Sequence, residues 1–174
     1  MTNKLTPRKL EALYAAIGRF VIVWADLELI LDLLVLTLRN LQDPLHRKPT
    51  IPHSLGKKLS FVRSIAQTLP SVRSHLAEIA SLLDEIGSLA DTRHDYVHGA
   101  VVGHSLERSA IRVTMGRMLQ PVNRPRRKTV KVTAAEIART ADHIYNLGGR
   151  LLDLVAELNS LARSVQSDDP FRYH

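Results

Sequence analysis

A chain of 174 residues with 45% apolar and 24% charged side chains has the composition of a folded globular domain, long enough to bury a core without staples. It contains no cysteine, which excludes disulfide frameworks and thiolate metal centres and suits a reducing compartment, so a cytoplasmic location is expected. The formal net charge of +7 is unevenly placed: residues 108–131 hold eight basic side chains and no acidic one, leaving the remainder of the chain close to neutral.

Residues 1–9 are polar and carry Pro7, unlike the apolar stretch of a secretory signal. Thr6 and Pro7 form a cap and first-turn pair. From there Leu10, Leu13, Ile17, Val21, Trp24, Leu27, Leu31, Leu34, Val35 and Leu38 recur at helical spacing. Residues 17–38 have the length of a membrane span, but Arg19, Asp26, Glu28 and Asp32 interrupt them, so the expectation is a core helix and no membrane. Ile22, Val23, Leu29, Ile30, Leu33 and Leu36 lie off the main stripe and wrap apolar surface around the helix. Such a helix is central, or is covered by a second subunit.

Pro44, Pro49 and Pro52 break the pattern and predict a connecting loop. A second helix is expected from a Ser54 cap through Leu55, Leu59, Val62, Ile65, Ala66 and Leu69 to Pro70. A third is expected from a Ser71 cap through Val72, Leu76, Ile79, Leu82, Leu83, Ile86 and Leu89 to a stop at Gly99. The period then changes to two: Ile111, Val113 and Met115 alternate with polar residues, as do Val130 and Val132. This predicts a hairpin over about 100–132, with Val101 and Val102 near its start and residues 121–125 at its turn. Thr133 and Glu136 have the spacing of a capping box that opens a last helix, carried by Ile137, Ala141, Ile144, Leu147, Leu151, Leu154, Leu158 and Leu161. Residues 167–174 read as a loose tail. The fold class expected is mainly α, a single domain over 1–174. It is a four-helix up-and-down bundle with a β-hairpin inserted before the last helix.

Six polar or ionisable side chains crowd the end of the third helix: Asp91, Thr92, Arg93, His94, Asp95 and His98. Two other Arg-to-His spacings, Arg39 to His46 and Arg47 to His53, fall in the proline-containing loop, so helical context singles out Arg93 and His98. The stretch Arg93-His94-Asp95-Tyr96-Val97-His98-Gly99 resembles the motif of the HEPN superfamily, helical-bundle proteins of prokaryotic defence and toxin systems and of some RNA-processing factors. That motif is Arg, a polar residue, a short spacer and His near a helix end, often followed by Gly.

The resemblance implies a metal-independent endoribonuclease with no cofactor, working as a homodimer whose two motifs face one cleft, and admits an antitoxin partner. In that reading Arg93 holds the phosphate, His98 moves the proton, and His94 or Asp95 orients them. The chemistry suits the residue types. RNA supplies its own nucleophile, the 2′-hydroxyl, histidine exchanges protons near neutrality, and arginine grips phosphate through paired N–H donors. Arg112, Arg124, Arg126, Arg127, Lys128 and Lys131 are the candidate RNA contacts; the plain alternative for this run is a solvated loop. The class alternative for the whole chain is a catalytically silent binding or scaffold protein of the same fold.

Five residues along a helix turn through about 140°, so Arg93 and His98 do not share a face. Their meeting needs the reach of Arg93, a distorted last turn, or a second subunit. A rival use of the same residues is a metal held by His94 and His98, which do share a face but lack a third ligand in register. A purely structural alternative pairs Arg93 with Asp26 or Glu28 and leaves His98 as a helix-end cation. Tyr96 is inside the motif, and Ala100 stands where nucleotidylated members carry a tyrosine, so control by a nucleotidyltransferase is not expected.

Overall fold

The computed structural model describes residues 7–42, 50–107, 110–119 and 126–167. The chain is mainly helical: α1 Pro7–Leu41, α2 Leu55–Thr68, α3 Leu76–His98 and α4 Ala134–Ser167. Between α3 and α4 lies a small antiparallel sheet of β1 Ala100–Glu107, β2 Ala110–Leu119 and β3 Arg126–Thr133. Helices with an inserted hairpin are thus what forms, and the hairpin has an additional first strand. Residues 100–107 escape a periodicity reading because Gly103 and Ser105 interrupt the apolar alternation. A register shift between Val101 and Gly103 breaks it further. The start of α3 also differs from expectation: Pro70–His75 forms a 3-10 turn and the α-helix proper begins at Leu76. The expected Thr6 cap, the prolines at 44 and 49, the turn at 121–125 and the tail beyond Ser167 lie outside the described residues, as do His46 and Arg47. Among the described residues no helix is long and apolar enough to cross a membrane.

The contacts divide the chain into two compact units, and α1, α3 and α4 each contribute residues to both. One unit, Asp26–Gly87 with Asn146–His174, is helical. Its core is Leu27, Leu31, Leu34 and Leu38 of α1, Val62 and Ile65 of α2, Ile79, Leu82, Leu83 and Ile86 of α3, and Leu147, Leu151, Leu154 and Leu158 of α4. Each such side chain contributes roughly 1.5–3 kcal/mol relative to exposure, so this stripe outweighs any surface pair. Ion pairs sit around it, Lys58 with Asp32 at 2.5 Å, Arg150 with Glu85 at 2.9 Å, and Arg63 with Asp84.

The other unit, Met1–Ala25 with Ser88–Tyr145, holds the sheet and the motif. Leu13, Ala16, Phe20 and Trp24 of α1 are buried, as are Tyr96 of α3, Val113 and Met115 of β2, Val132 of β3 and Ile137, Ala141 and Ile144 of α4. Phe20 meets Tyr96 edge-on with ring centroids 5.0 Å apart, which fixes the last turns of α3 against α1. The strand order is β1-β2-β3, with Val113 opposite Val132 and Met115 opposite Val130. By the two-residue period, Lys128, Val130 and Val132 fall on one face of β3, and Thr129 and Lys131 on the other. The basic strand therefore divides its charge between two faces.

Gly99 is where α3 gives way to the sheet. Its N–H bonds to the Asp95 carbonyl at 3.1 Å. A Cβ built there would stand 2.2 Å from that same oxygen and 3.3 Å from the Met115 Cβ. Closeness is what demands glycine here, because only displaced backbone could admit a methyl group. Gly99→Ala is expected to destabilise the fold by about 1–3 kcal/mol, the usual cost of overpacking. Urea unfolding measures it, and an unchanged midpoint would show that the α3–β1 junction yields without cost.

Candidate functional site

The end of α3 carries two rows of polar side chains, each set by the helical repeat. His94 and His98 form one row; both are exposed, with ring centroids 5.5 Å apart and planes tilted by 35°. Asp91 and Asp95 form the other. Arg93 belongs to neither row, and its guanidinium reaches round the helix to the histidine row: Arg93 Nη1 stands 2.9 Å from His98 Nε2. Of the three ways the pair could meet, the reach of Arg93 within one chain suffices. Arginine has no acceptor, so the bond requires Nε2 to offer its lone pair and the imidazole proton to sit on Nδ1. The other side of the guanidinium is inside the protein, since Arg93 Nε is buried with no hydrogen-bond partner.

Asp95 does not lie in the open with the histidines. It is buried, and its carboxylate meets Lys128 of β3 at 2.8 Å; Asp91 reaches the same ammonium at 3.4 Å. The Lys128 ammonium is held above the usual lysine range, chiefly by its hydrogen bond to Asp95. Among the singled-out basic residues whose side chains are described, Lys128 is thus the one brought to the motif. Arg112 goes elsewhere: its Nη1 donates to both Glu136 carboxylate oxygens at 3.4 Å and to the Lys131 carbonyl at 3.4 Å. Lys131 is exposed on the outer face. Arg126 and Arg127 begin β3, with Arg126 in register with Leu119 and Arg127 with Met118, and Arg124 lies outside the described residues. The Asp95–Lys128 tie went unseen in the sequence because nothing in a charge run names its partner 33 positions upstream.

Tyr96, within the motif, is a core residue. Burial pushes its phenol above the ordinary range, opposed by a hydrogen bond with Thr140. Among the described residues no three His, Cys, Asp or Glu side chains are placed to hold a metal ion, so the His94/His98 pair has no third ligand there. No family model, curated protein or solved structure matches this chain.

The capping box expected at the start of α4 is present. Thr133 N–H donates to Glu136 Oε2 at 2.6 Å, the Thr133 hydroxyl donates to the same oxygen at 2.9 Å, and Glu136 N–H donates to Thr133 Oγ1 at 3.2 Å. Backbone and side chain of Thr133, then Arg112, hold the Glu136 carboxyl below its ordinary value of 4.5. A carboxyl more acidic when folded adds stability that is complete above the unfolded value and fades as pH falls through the folded one. Glu136→Gln is therefore expected to cost about 1 kcal/mol at neutral pH, a capping-sized loss, and to shrink towards zero cost in acid. Melting temperatures of both proteins between neutrality and strong acid check this; curves that stay parallel throughout would contradict it.

Proposed function

We propose that this chain binds RNA and cleaves it without a metal, in the manner of HEPN endoribonucleases. The observation that supports this most is the direct Arg93–His98 bond at an exposed helix end. It joins a permanent cation, able to offset charge on a phosphorane, to a group able to take the 2′-hydroxyl proton. In the free protein the Nε2 lone pair is engaged by Arg93, so a bound phosphate must draw the guanidinium away before Nε2 can act as base. His94, whose ring lies beside that of His98, is placed to orient it. Attack of the 2′-oxygen on phosphorus then breaks the bond to the 5′-oxygen, which leaves with the proton that the His98 imidazolium returns, and a 2′,3′-cyclic phosphate remains.

The same bond also favours a second reading, a silent RNA-binding or scaffold protein, if Arg93 keeps the imidazole permanently occupied. In either case two chains pair. On α1, Tyr14, Val21 and Ile22 in one unit and Leu29, Leu33 and Leu36 in the other are exposed apolar side chains that a partner copy would cover. A cytoplasmic defence or toxin role, with an antitoxin partner, completes the reading. The test is incubation of single-stranded RNA with the protein in excess EDTA, followed by analysis of the ends. Cyclic phosphate ends with DNA left intact support the enzyme, RNA bound but uncut selects the silent protein, and RNA neither bound nor cut overturns both.

A further inference from the structure

The Lys128 ammonium belongs to the basic strand by sequence and to the acidic row of α3 by geometry. Asp95 is its closer partner, with only 8% of that side chain exposed, whereas the Lys128 side chain is 31% exposed and Asp91 is 78% exposed. A buried carboxylate that gives up this cation would lose much of what offsets its desolvation, so Lys128 leaves Asp95 far less readily than a solvated lysine leaves water. Lys131, exposed on the opposite face, carries no such burden.

We infer that Asp95 and Lys128 form a clamp that fixes strand β3 against the motif-bearing end of α3, so that Lys128 positions Arg93 and His98 instead of contacting the RNA. Asp95 follows His94 directly and Arg93 by two residues, and it also accepts the Gly99 N–H through its carbonyl. The residue that receives the lysine therefore sits within the same helical turns that aim both functional side chains. The sheet contributes the other jaw: Lys128 stands opposite Arg117 in the β2–β3 register, two residues from Val130 and four from the buried Val132. Asp95 is then neither a proton carrier nor an open-site ligand, and Lys128 is a positioning residue. Raised above the usual lysine range, the ammonium stays charged wherever RNA is handled, as a permanent clamp requires. The catalytic part of this inference rests on the function proposed above; the clamp itself does not.

The experiment compares Lys128→Met, Asp95→Asn, the double variant, Lys128→Arg and Lys131→Met. In the free protein, two-dimensional NMR of the imidazoles reads the aim of the motif without any RNA. Lys128→Met and Asp95→Asn should each move the His94 and His98 ring signals, the double variant should move them no further, and Lys128→Arg should restore them. Should Lys128→Met fail to fold, the double variant, which removes both charges, and Lys128→Arg carry the comparison. With single-stranded RNA, removing a side chain that neutralises one phosphate should lower the slope of log affinity against log salt by about 0.7. Lys128→Met should leave that slope unchanged, and the cleavage rate should fall by up to about 10²-fold, equally in both single variants and in the double. A slope lowered by Lys128→Met, multiplicative losses in the double variant, or histidine signals that ignore Lys128 would each overturn the clamp. If no RNA binds, the proposed function fails, and the NMR comparison still decides the clamp.

Discussion

If the chain cleaves RNA as proposed, His98→Ala is expected to lower the cleavage rate about 10²- to 10⁴-fold, the usual loss when one positioned acid or base is removed, with RNA affinity near that of the unaltered protein. The separation follows from where the residue stands. His98 is exposed on the last turn of α3 and its hydrogen bond goes to Arg93, so alanine would remove the proposed proton carrier and leave the helix intact. In the proposed function, binding would draw on other basic residues, Lys131 among them, which the substitution does not touch. Excess EDTA in the assay separates this from the metal alternative, which requires activity to vanish with the chelator and return with zinc. Turnover undiminished in His98→Ala would end the catalytic assignment, whatever the RNA affinity.

The helices were readable because their signals are local. A two-residue capping box at Thr133 and Glu136, a run of leucines at helical spacing in α1, and a glycine at position 99 each act within a few residues of themselves. The first strand was less so, because Gly103 and a register shift erase its alternation; pairing with residues 110–116 of β2 is what makes it a strand. The site shows the same division. Arg93 and His98 stood out by motif and helical context, but an ideal helix sets them about 140° apart, and only the length of the arginine side chain brings them to 2.9 Å. Asp95 could be seen as part of the motif and not as the partner of Lys128, since that ion pair exists only once β3 folds back over α3. Arg112 illustrates the opposite error of a charge count: a basic residue in a basic run is drawn to the carboxylate of a helix cap.

Under the same proposal Arg93→Ala is expected to give the second large effect, a loss of about 10²- to 10³-fold in cleavage rate, the scale of removing one donor that stabilises charge in the transition state. The structure sets what should accompany it. With the guanidinium gone, His98 Nε2 has no donor beside it, and nitrogen-15 NMR of the ring should record a changed balance between the two imidazole tautomers. Stability should change little, because the hydrogen bond removed ends on an exposed imidazole and the buried Nε gives up no hydrogen bond. A structural arginine would do the reverse, since stripping its partner carboxylate destabilises the fold by several kcal/mol, about 3–5 for a buried pair. Arg93→Lys sharpens the comparison: it keeps the charge but loses the fork that grips two phosphate oxygens, so it should recover part of the stabilisation and little of the orientation. A large drop in melting temperature with Arg93→Ala, accompanied by full recovery in Arg93→Lys, would make Arg93 a brace for the helix end and leave His98 without its phosphate-holding partner.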